Sequence, residues 1–600
     1  MKHIEETYQD IIARSETELR QVRQRIYYIS LLRVVLFAVA IIDTFAFWSD
    51  GWEALLPLAA LPFLLFLWLV KRHNRWFRRK DYLKEKIRIN EQELRALEYD
   101  FADFDNGEEF VDPAHLYTFD LDVFGPHSLF QYINRTATPA GKQHLAQWLD
   151  AHLEEKTAIE QRQEAIRELA PELEFRQQFR LLGLLYKGVP TDIAEIRAWA
   201  ESPATYHGNP WLRFLPTAVL AINVIGIGAA CLGWWPASLA GVVFGLCLVS
   251  SFAFTGRITK LQIAYGKKLK LLSTYADQIL LTEQKEMRSP ALQALKAELT
   301  SHGQTASQAV RRLSELMNSL DQRNNLLMLT ILNGLMFWEL RKMTRIEEWK
   351  ARHATDLPRW IEAIGELDAY CSIATFAYNH PTYTYPTLTA SPFSLQATAL
   401  GHPLMDRRKC VRNDIHVDGR PSFIIITGAN MAGKSTYLRT VGVNYLLACV
   451  GAPVWADQME LYPARLVTSL RTSDSLTDNE SYFFAELKRL KLIIDKLEAG
   501  EELFIILDEI LKGTNSMDKQ KGSLALIRQF MTLNANGIIA THDLLLGTLA
   551  EAYPQNIRNH CFEADITDNE LTFSYRMRDG VAQNMNACFL MKKMGIAIAE

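Results

Sequence analysis

Cysteine is scarce and scattered in this chain of 600 residues: Cys231, Cys247, Cys371, Cys410, Cys449, Cys561 and Cys588, with no C-x-x-C pair. That spacing excludes a zinc knuckle and a disulfide framework, and fits reduced thiols in a cytoplasmic or membrane setting. A charge bias is missing as well. Lys and Arg number 65 against 69 Asp and Glu, a formal net charge of −4, so nothing in the balance marks a dedicated nucleic-acid binder. Repeats and low-complexity tracts are absent, and the length allows three or four ordinary domains. The most telling lack is local. Between Phe214 and Gly256 there is no charged residue at all.

That stretch is broken only by Gly233, Trp234, Trp235 and Pro236, and it is long enough for two spans of about 20 residues. A second pair lies earlier: Tyr27 to Trp48, interrupted by Arg33 and Asp43, and Ala54 to Val70, with Pro57 and Pro62. The alternative for each pair is a buried helical hairpin, but the flanking charge favours a membrane. Arg20, Arg23 and Arg25 precede the first pair, and Lys71, Arg72, Arg75, Arg78, Arg79 and Lys80 follow it. Arg213 precedes the second, and Arg257, Lys260, Lys267 and Lys268 follow. Neither turn contains Lys or Arg, so both hairpins orient alike, with four transmembrane helices and a cytoplasmic N-terminus. Trp48, Trp52, Trp68, Trp234 and Trp235 sit where an interfacial belt belongs. Asp43, near the outer end of a broken span, reads as water-exposed. The basic run from Lys71 to Lys80 reads as an anchor for anionic lipids, making membrane lipids an expected partner. The first apolar segment starts too late and runs too long for a cleaved leader. The apolar run from Leu326 to Phe337 is short, and reads as a buried core helix rather than a fifth span.

The chemistry lies further on. The apolar run Ser422 to Thr427 leads into Gly428, Ala429, Asn430, Met431, Ala432, Gly433, Lys434, Ser435 and Thr436. A strand ending in a glycine loop that opens a helix cradles phosphates. Loop N–H groups and the helix N-terminus face the β-phosphate, Lys434 adds a point charge, and the Ser435 hydroxyl suits Mg²⁺. A second apolar run, Leu503 to Leu507, ends in Asp508 and Glu509. Alone this is an acidic strand cap. Downstream of a phosphate loop, Asp508 is placed to hold Mg²⁺ and Glu509 to orient the attacking water. A third run, Gly537 to Thr541, ends in His542, suited to sensing the γ-phosphate from a neighbouring strand end.

These segments, with Leu507, Asp508, Glu509, Ile510, Gly513, Thr514, Asn515, Ser516 and Asp518 in one and Ala540, Thr541 and His542 in another, resemble the ATPase domain of MutS-family DNA mismatch repair proteins. Asp474 to Leu487 is similar to the family's signature segment, and Ser481 matches the serine that approaches ATP held by a partner subunit. Upstream, Ser128 to Gly141 with Gln161, Arg162 and Gln163 resembles the start of the family's core (lever) domain. Trp360 to Asp368 and Gly401 to Leu404 resemble its end and the entry to the ATPase domain. The departures are Ala429 for the usual proline, Lys512 for an arginine and Lys519 for a glycine. No segment corresponds to the mismatch-reading domain, and the chain stops at Glu600 without the family's helix-turn-helix extension or a nuclease-like module.

The expected fold is an α/β P-loop ATPase domain of the ABC/MutS type, an all-α core or lever domain, and two transmembrane hairpins. The expected boundaries are an N-terminal helix at 1–26, hairpin one at 27–80, a helix and linker at 81–118 and the first part of the core at 119–213. Hairpin two follows at 214–256, returning lever helices at 257–395 and the ATPase domain at 396–600. The resemblance implies a homodimer that sandwiches ATP and Mg²⁺, with Lys434 and Asn430 on the γ-phosphate, Ser435 and Asp508 on the metal, Glu509 on water and Ser481 acting in trans. It also implies DNA, mismatched or branched, as a ligand. The second hairpin stands where the family's DNA clamp would be. The alternative is therefore a membrane-coupled mechanochemical or signalling ATPase that binds no DNA.

Overall fold

The computed structural model describes residues 2–46, 52–185, 190–301, 304–320, 326–429, 431–471, 482–512, 514–567 and 570–583, without the side chains of 52–63, 67 and 261–271 among others. Two long helices, α1 (Lys2–Ala46) and α2 (Trp52–Leu97), open the chain. Each carries a charged half and an apolar half in one continuous helix. They run antiparallel: Glu18 pairs with Arg79 at 2.7 Å, Arg25 lies over Trp76 and Arg33 over Phe66. The apolar half of α1 leaves Val34, Ile42 and Phe45 exposed.

The charged end of α2 docks on a helical core. Glu93 is buried there between Arg135 and Arg180, each at 2.7 Å. Residues 102–113, within the helix and linker expected at 81–118, are pinned to the core. The Gln131 side chain donates to the carbonyls of Ala102 and Phe104, and Asn134 donates to that of Asp105. Helix Pro139–Asp150 starts at the N-cap Thr138, whose hydroxyl accepts from Gly141 N, with Pro139 in the first turn.

Next come α3 (Pro210–Cys231) and α4 (Ala237–Gln284). At 48 residues α4 is about 70 Å long, running from an apolar tip into the core, where Tyr275 and Ile279 are buried. Among the described residues, three helices are apolar and long enough to cross a membrane: α1, α3 and the first part of α4. The fourth expected span, Ala54 to Val70, lies on α2 where most side chains fall outside the described residues.

Helix α5 (Ala306–Leu320) returns along the charged half of α4, with Arg311 on Asp277 and Ser307 N donating to Glu283. It is followed by α6 (Leu326–Met336) and α7 (Trp338–His353), separated by Phe337 in the left-handed conformation. Then α8 (Asp356–Asn379) passes through the centre, buried on every side over residues 367–377, while its first half keeps Arg359 exposed and Glu362 half-exposed. Helix Pro139–Asp150 crosses it so closely that a Cβ on Gly365 would meet Ala140, and one on Gly141 would overlap Asp368.

The C-terminal part is α/β. Strands β1 (Thr387–Leu388), β2 (Ser394–Leu400), β3 (Asn413–Asp418), β4 (Ser422–Gly428), β5 (Gln458–Leu461) and β6 (Arg465–Ser469) are followed by β7 (Leu503–Asp508), β8 (Asn536–Thr541), β9 (Ile557–Thr567) and β10 (Glu570–Asp579). One sheet has the order β10-β9-β4-β8-β7-β6, parallel except at β10, and a second has the order β1-β5-β2-β3. The three apolar runs read from the sequence are the adjacent central strands β4, β8 and β7, buried on both faces. Helices α9 (Lys434–Cys449), α10 (Tyr482–Glu498) and α11 (Ser516–Thr532) flank the sheet.

Candidate functional site

Because β4, β8 and β7 are parallel neighbours, their C-terminal ends deliver Gly428, His542 and Asp508–Glu509 to one edge of the sheet. Gly428 has φ of 148° and lies so close to β9 that a Cβ would overlap the Phe562 carbonyl. Gly433 has φ of 105°, and a Cβ there would stand 3.1 Å from the Tyr575 ring. Both positions need glycine. Between them, Met431 also adopts positive φ and is 82% exposed.

Lys434 opens α9 and is only 5% exposed. Its ammonium donates to the carbonyls of Gly428 at 2.8 Å and Ala429 at 2.9 Å. Burial lowers its pKa, against the opposing pull of the Glu509 and Asp508 carboxylates. His542 Nδ1 lies 2.8 Å from the same Gly428 carbonyl, and its Nε2 abuts the Glu509 carboxylate, an ion pair when the ring is protonated. The His542 contact holds the Glu509 carboxyl down at about 2 despite half burial, with Lys512 and Lys434 acting in the same direction. Glu509 itself has φ of 52° and Leu511 φ of 59°, a left-handed backbone that non-glycine residues adopt at a cost of order 1–3 kcal/mol each. Ser435 and Thr436 are exposed on the first turn of α9, and Asp508 is half-buried at the end of β7. The loop residues Ala429, Met431, Gly433, Lys434, Ser435 and Thr436 line a cleft of about 440 Å³ together with Glu509. Ala432 is buried beneath the loop. Asn430 and Ser481 lie outside the described residues.

Two further residues belong to this arrangement: Glu486, which lies in the signature-like segment Asp474 to Leu487 without a role assigned to it there, and Tyr575, which lies in no motif. Glu486 on α10 is 3% exposed, and its carboxylate accepts from Leu511 N and Lys512 N, fixing the strained turn after Glu509. Tyr575 on β10 lines the cleft together with Leu400, Met405 and Val411. Only the folded sheet brings them here. The Glu486 contact spans 25 residues, and Tyr575 arrives through the antiparallel edge strand.

The site is also tied to the helical core. Asp120 accepts from Thr468, Leu470 and Arg471, and Asp122 pairs with both Arg439 of α9 and Arg471. Arg439 lies one to two turns beyond Lys434 on the same helix, so α9 links the glycine loop to the core segment at 120–122.

Family models match two parts of the chain. MutS domain V matches residues 424–597, which contain the glycine loop, Asp508, Glu509 and His542, and MutS domain III matches residues 116–374. The chain is 26% identical over 510 residues to the DNA mismatch repair protein MutS of Chlorobium chlorochromatii, covering 78% of this chain and 57% of that relative. To the protein of the same name from Thermotoga petrophila it is 24% identical over 500 residues, covering 78% and 61%. To that of Thermotoga neapolitana it is 31% identical over 235 residues, covering 38% and 28%. The chain thus spans about three-fifths of the length of the first two.

Proposed function

This chain belongs to the MutS family as a divergent member, and from that premise we propose that it is a membrane-anchored ATP hydrolase whose nucleotide cycle moves the helical core. The observation that carries the nucleotide reading is Lys434. A nearly buried ammonium held by two carbonyls of a glycine loop, at the mouth of a helix, exchanges those carbonyls for phosphate oxygens when a nucleotide enters. The glycine positions support the same fit, because they leave room where any Cβ would close the cradle. In this reading the loop from Gly428 to Thr436 wraps the phosphates, and Lys434 and Asn430 offset charge developing on the γ-phosphate. Glu509 orients the attacking water, and His542 senses the γ-phosphate through the contacts it makes with Gly428 and Glu509. Ser435 and Asp508 would hold Mg²⁺, which when bound neutralises phosphate charge. Tyr575 offers a face for a nucleobase. Ser481, by family resemblance, completes the site of a second copy, so the working unit is a homodimer through residues 396–600.

The membrane part of the proposal rests on exposed apolar surface. In this reading the apolar half of α1 pairs with that of α2, and α3 with the first part of α4, as four spans, supported by the length and exposed apolar surface of α1, α3 and α4. The N-terminus and the α/β unit lie on the basic, cytoplasmic side. The lever then comprises 119–213 and 257–395, with α4 joining span and core in one rod. A second reading keeps DNA as the ligand, favoured by similarity over 78% of the chain to proteins named for DNA mismatch repair.

ATP turnover of the detergent-purified protein, measured with and without homoduplex, mismatched and branched DNA, separates the readings, with Glu509→Gln as the blank. Glu509-dependent turnover indifferent to every DNA supports membrane coupling, and stimulation by one DNA structure supports the DNA ligand. Turnover unchanged in Glu509→Gln overturns the hydrolase assignment.

A further inference from the structure

Helix α6 contains no charged residue, yet it is not enclosed: Met328 is 42% and Ile331 40% exposed. Leu332 and Met336 touch the edge of the main core, while the helix packs mainly on α4 and α3. The depth of that contact is legible from the partners. Gly334 abuts the ring of Phe244, two turns into α4, and a Cβ there would overlap it. The Asn223 amide reaches the carbonyls of Gly334 and Leu335 at 3.2 Å each. At 1.5 Å per residue, Phe244 and Asn223 lie roughly 10–12 Å from the outer ends of helices that cross a layer about 30 Å thick. The end of α6 therefore stands at the depth of the hydrocarbon in which α3 and α4 are read to lie.

The chain turns back between that depth and the basic edge: Phe337 packs on Phe254, and Glu339 meets Thr255 near the end of the apolar run. Phe337 takes φ of 47° and ends α6 before α7 begins. A helix that stops in hydrocarbon must have its last carbonyls satisfied by protein groups. Here they are. Besides the Asn223 bonds to Gly334 and Leu335, Asn333 accepts from Glu339 N at 3.1 Å, and its amide donates to the Glu339 carboxylate at 2.9 Å. Thr255 donates to that carboxylate at 2.8 Å. Asn223, Asn333 and Glu339 are all buried. One turn further, α7 carries Arg341, Lys342 and Arg345, in line with Arg213 at the start of α3 and Lys260 just past the apolar run of α4. This is the cationic band expected where a chain leaves the membrane on its cytoplasmic side.

We infer that α6 is a re-entrant half-span: it enters the apolar layer from the basic side, reaches the depth of Phe244 and Asn223 in its last turn, and turns back at Phe337 into α7, with Ile331 turned to phospholipid acyl chains. The inference rests on the membrane reading of α3 and α4, and replaces the buried core helix expected from the length of the run. It gives the core a second handle in the membrane. Glu347 of α7 accepts from the backbone of Thr205, Tyr206 and His207, and Trp349 donates to Ala309 of α5, so motion of α6 passes directly into the lever.

The test places a nitroxide on single cysteines (Ile331→Cys, Val242→Cys and Arg345→Cys) in the full chain with its native cysteines replaced, reconstituted in phosphatidylcholine–phosphatidylglycerol vesicles. Collision with oxygen reports lipid exposure, and collision with a water-soluble nickel chelate reports water. The expected result is an oxygen-to-nickel ratio at 331 matching that at 242, and both several-fold above the ratio at 345. A label at 242 in lipid with one at 331 in water, or shielded from both reagents, overturns the half-span and leaves the membrane reading standing. A label at 242 in water overturns the membrane reading itself.

Discussion

Gly428 O is shared by Lys434 and His542, and His542 in turn abuts Glu509, so three candidate site residues are linked through one carbonyl. A phosphate that draws Lys434 away from that carbonyl changes the partners of His542, and with them the position of Glu509. Glu509→Gln keeps the size of the side chain and its reach to His542 but loses the carboxylate that orients and accepts a proton from water. Turnover is expected to fall by about 10²–10⁴-fold, the usual contribution of a positioned base. Nucleotide affinity, read by equilibrium binding of a fluorescent ATP analogue, stays near that of the parent. A loss of affinity equal to the loss of turnover would assign Glu509 to binding instead. Since its carboxyl is held down at about 2, Glu509 is ionised throughout the physiological range, and its protonation contributes no acid limb to turnover above about pH 4.

At the scale of elements, the crossing of α8 with helix Pro139–Asp150 is set by Asp368. One of its oxygens accepts from Ala137 N, Thr138 N and the Thr138 hydroxyl, binding the start of one helix to the middle of the other. Full burial pushes this carboxyl up to about 6 in spite of those donors. Between its ordinary value near 4 and that raised value the folded state binds more protons than the unfolded one. Stability therefore falls as pH rises through that window, by about 3 kcal/mol for complete burial. Asp368→Asn retains an oxygen for the three donors and cannot ionise, so the difference in thermal midpoint between pH 4 and pH 6.5 should shrink in the variant. An unchanged difference would place the pH sensitivity elsewhere. The same scale shows what a sequence can disclose. Strands β4, β7 and β8 were readable because parallel strands buried on both faces are continuous apolar runs, and the glycine loop because its backbone tolerates no substitute. The role of Glu486, although it lies in the signature-like segment, and the position of Tyr575 were not, since nothing local distinguishes a carboxylate that will cap a strained turn, or a tyrosine that will face a cleft. The run at 326–337 is ambiguous for a related reason: its length fits a core helix or a half-span equally.

For the whole molecule, the question is how a sheet edge at one end is joined to apolar helices at the other. Two rods leave the core toward the apolar region, α2 and α4, and each is fixed at its base by charge. For α2 the fixing group is Glu93, which takes Arg135 and Arg180 at 2.7 Å and accepts from Asn379 at 2.9 Å. Burial alone would raise its pKa, but the two guanidinium groups outweigh burial and hold it below the usual carboxylate range. Its contribution to stability is thus present above about pH 4.5 and is lost as pH falls through the lower folded value. Glu93→Gln leaves two buried guanidinium groups without a counter-charge, a change that typically costs about 3–5 kcal/mol. That loss should appear locally, as faster amide hydrogen exchange over residues 87–97 and 129–135, with exchange in β4, β7 and β8 unchanged. If the first helical pair reports on the nucleotide site through this joint, the variant also hydrolyses ATP at a rate that no longer differs between detergent and vesicles. A variant with loosened exchange at 87–97 but parental dependence on the vesicle would assign the coupling to α4 and α7, whose contacts with the core it leaves intact.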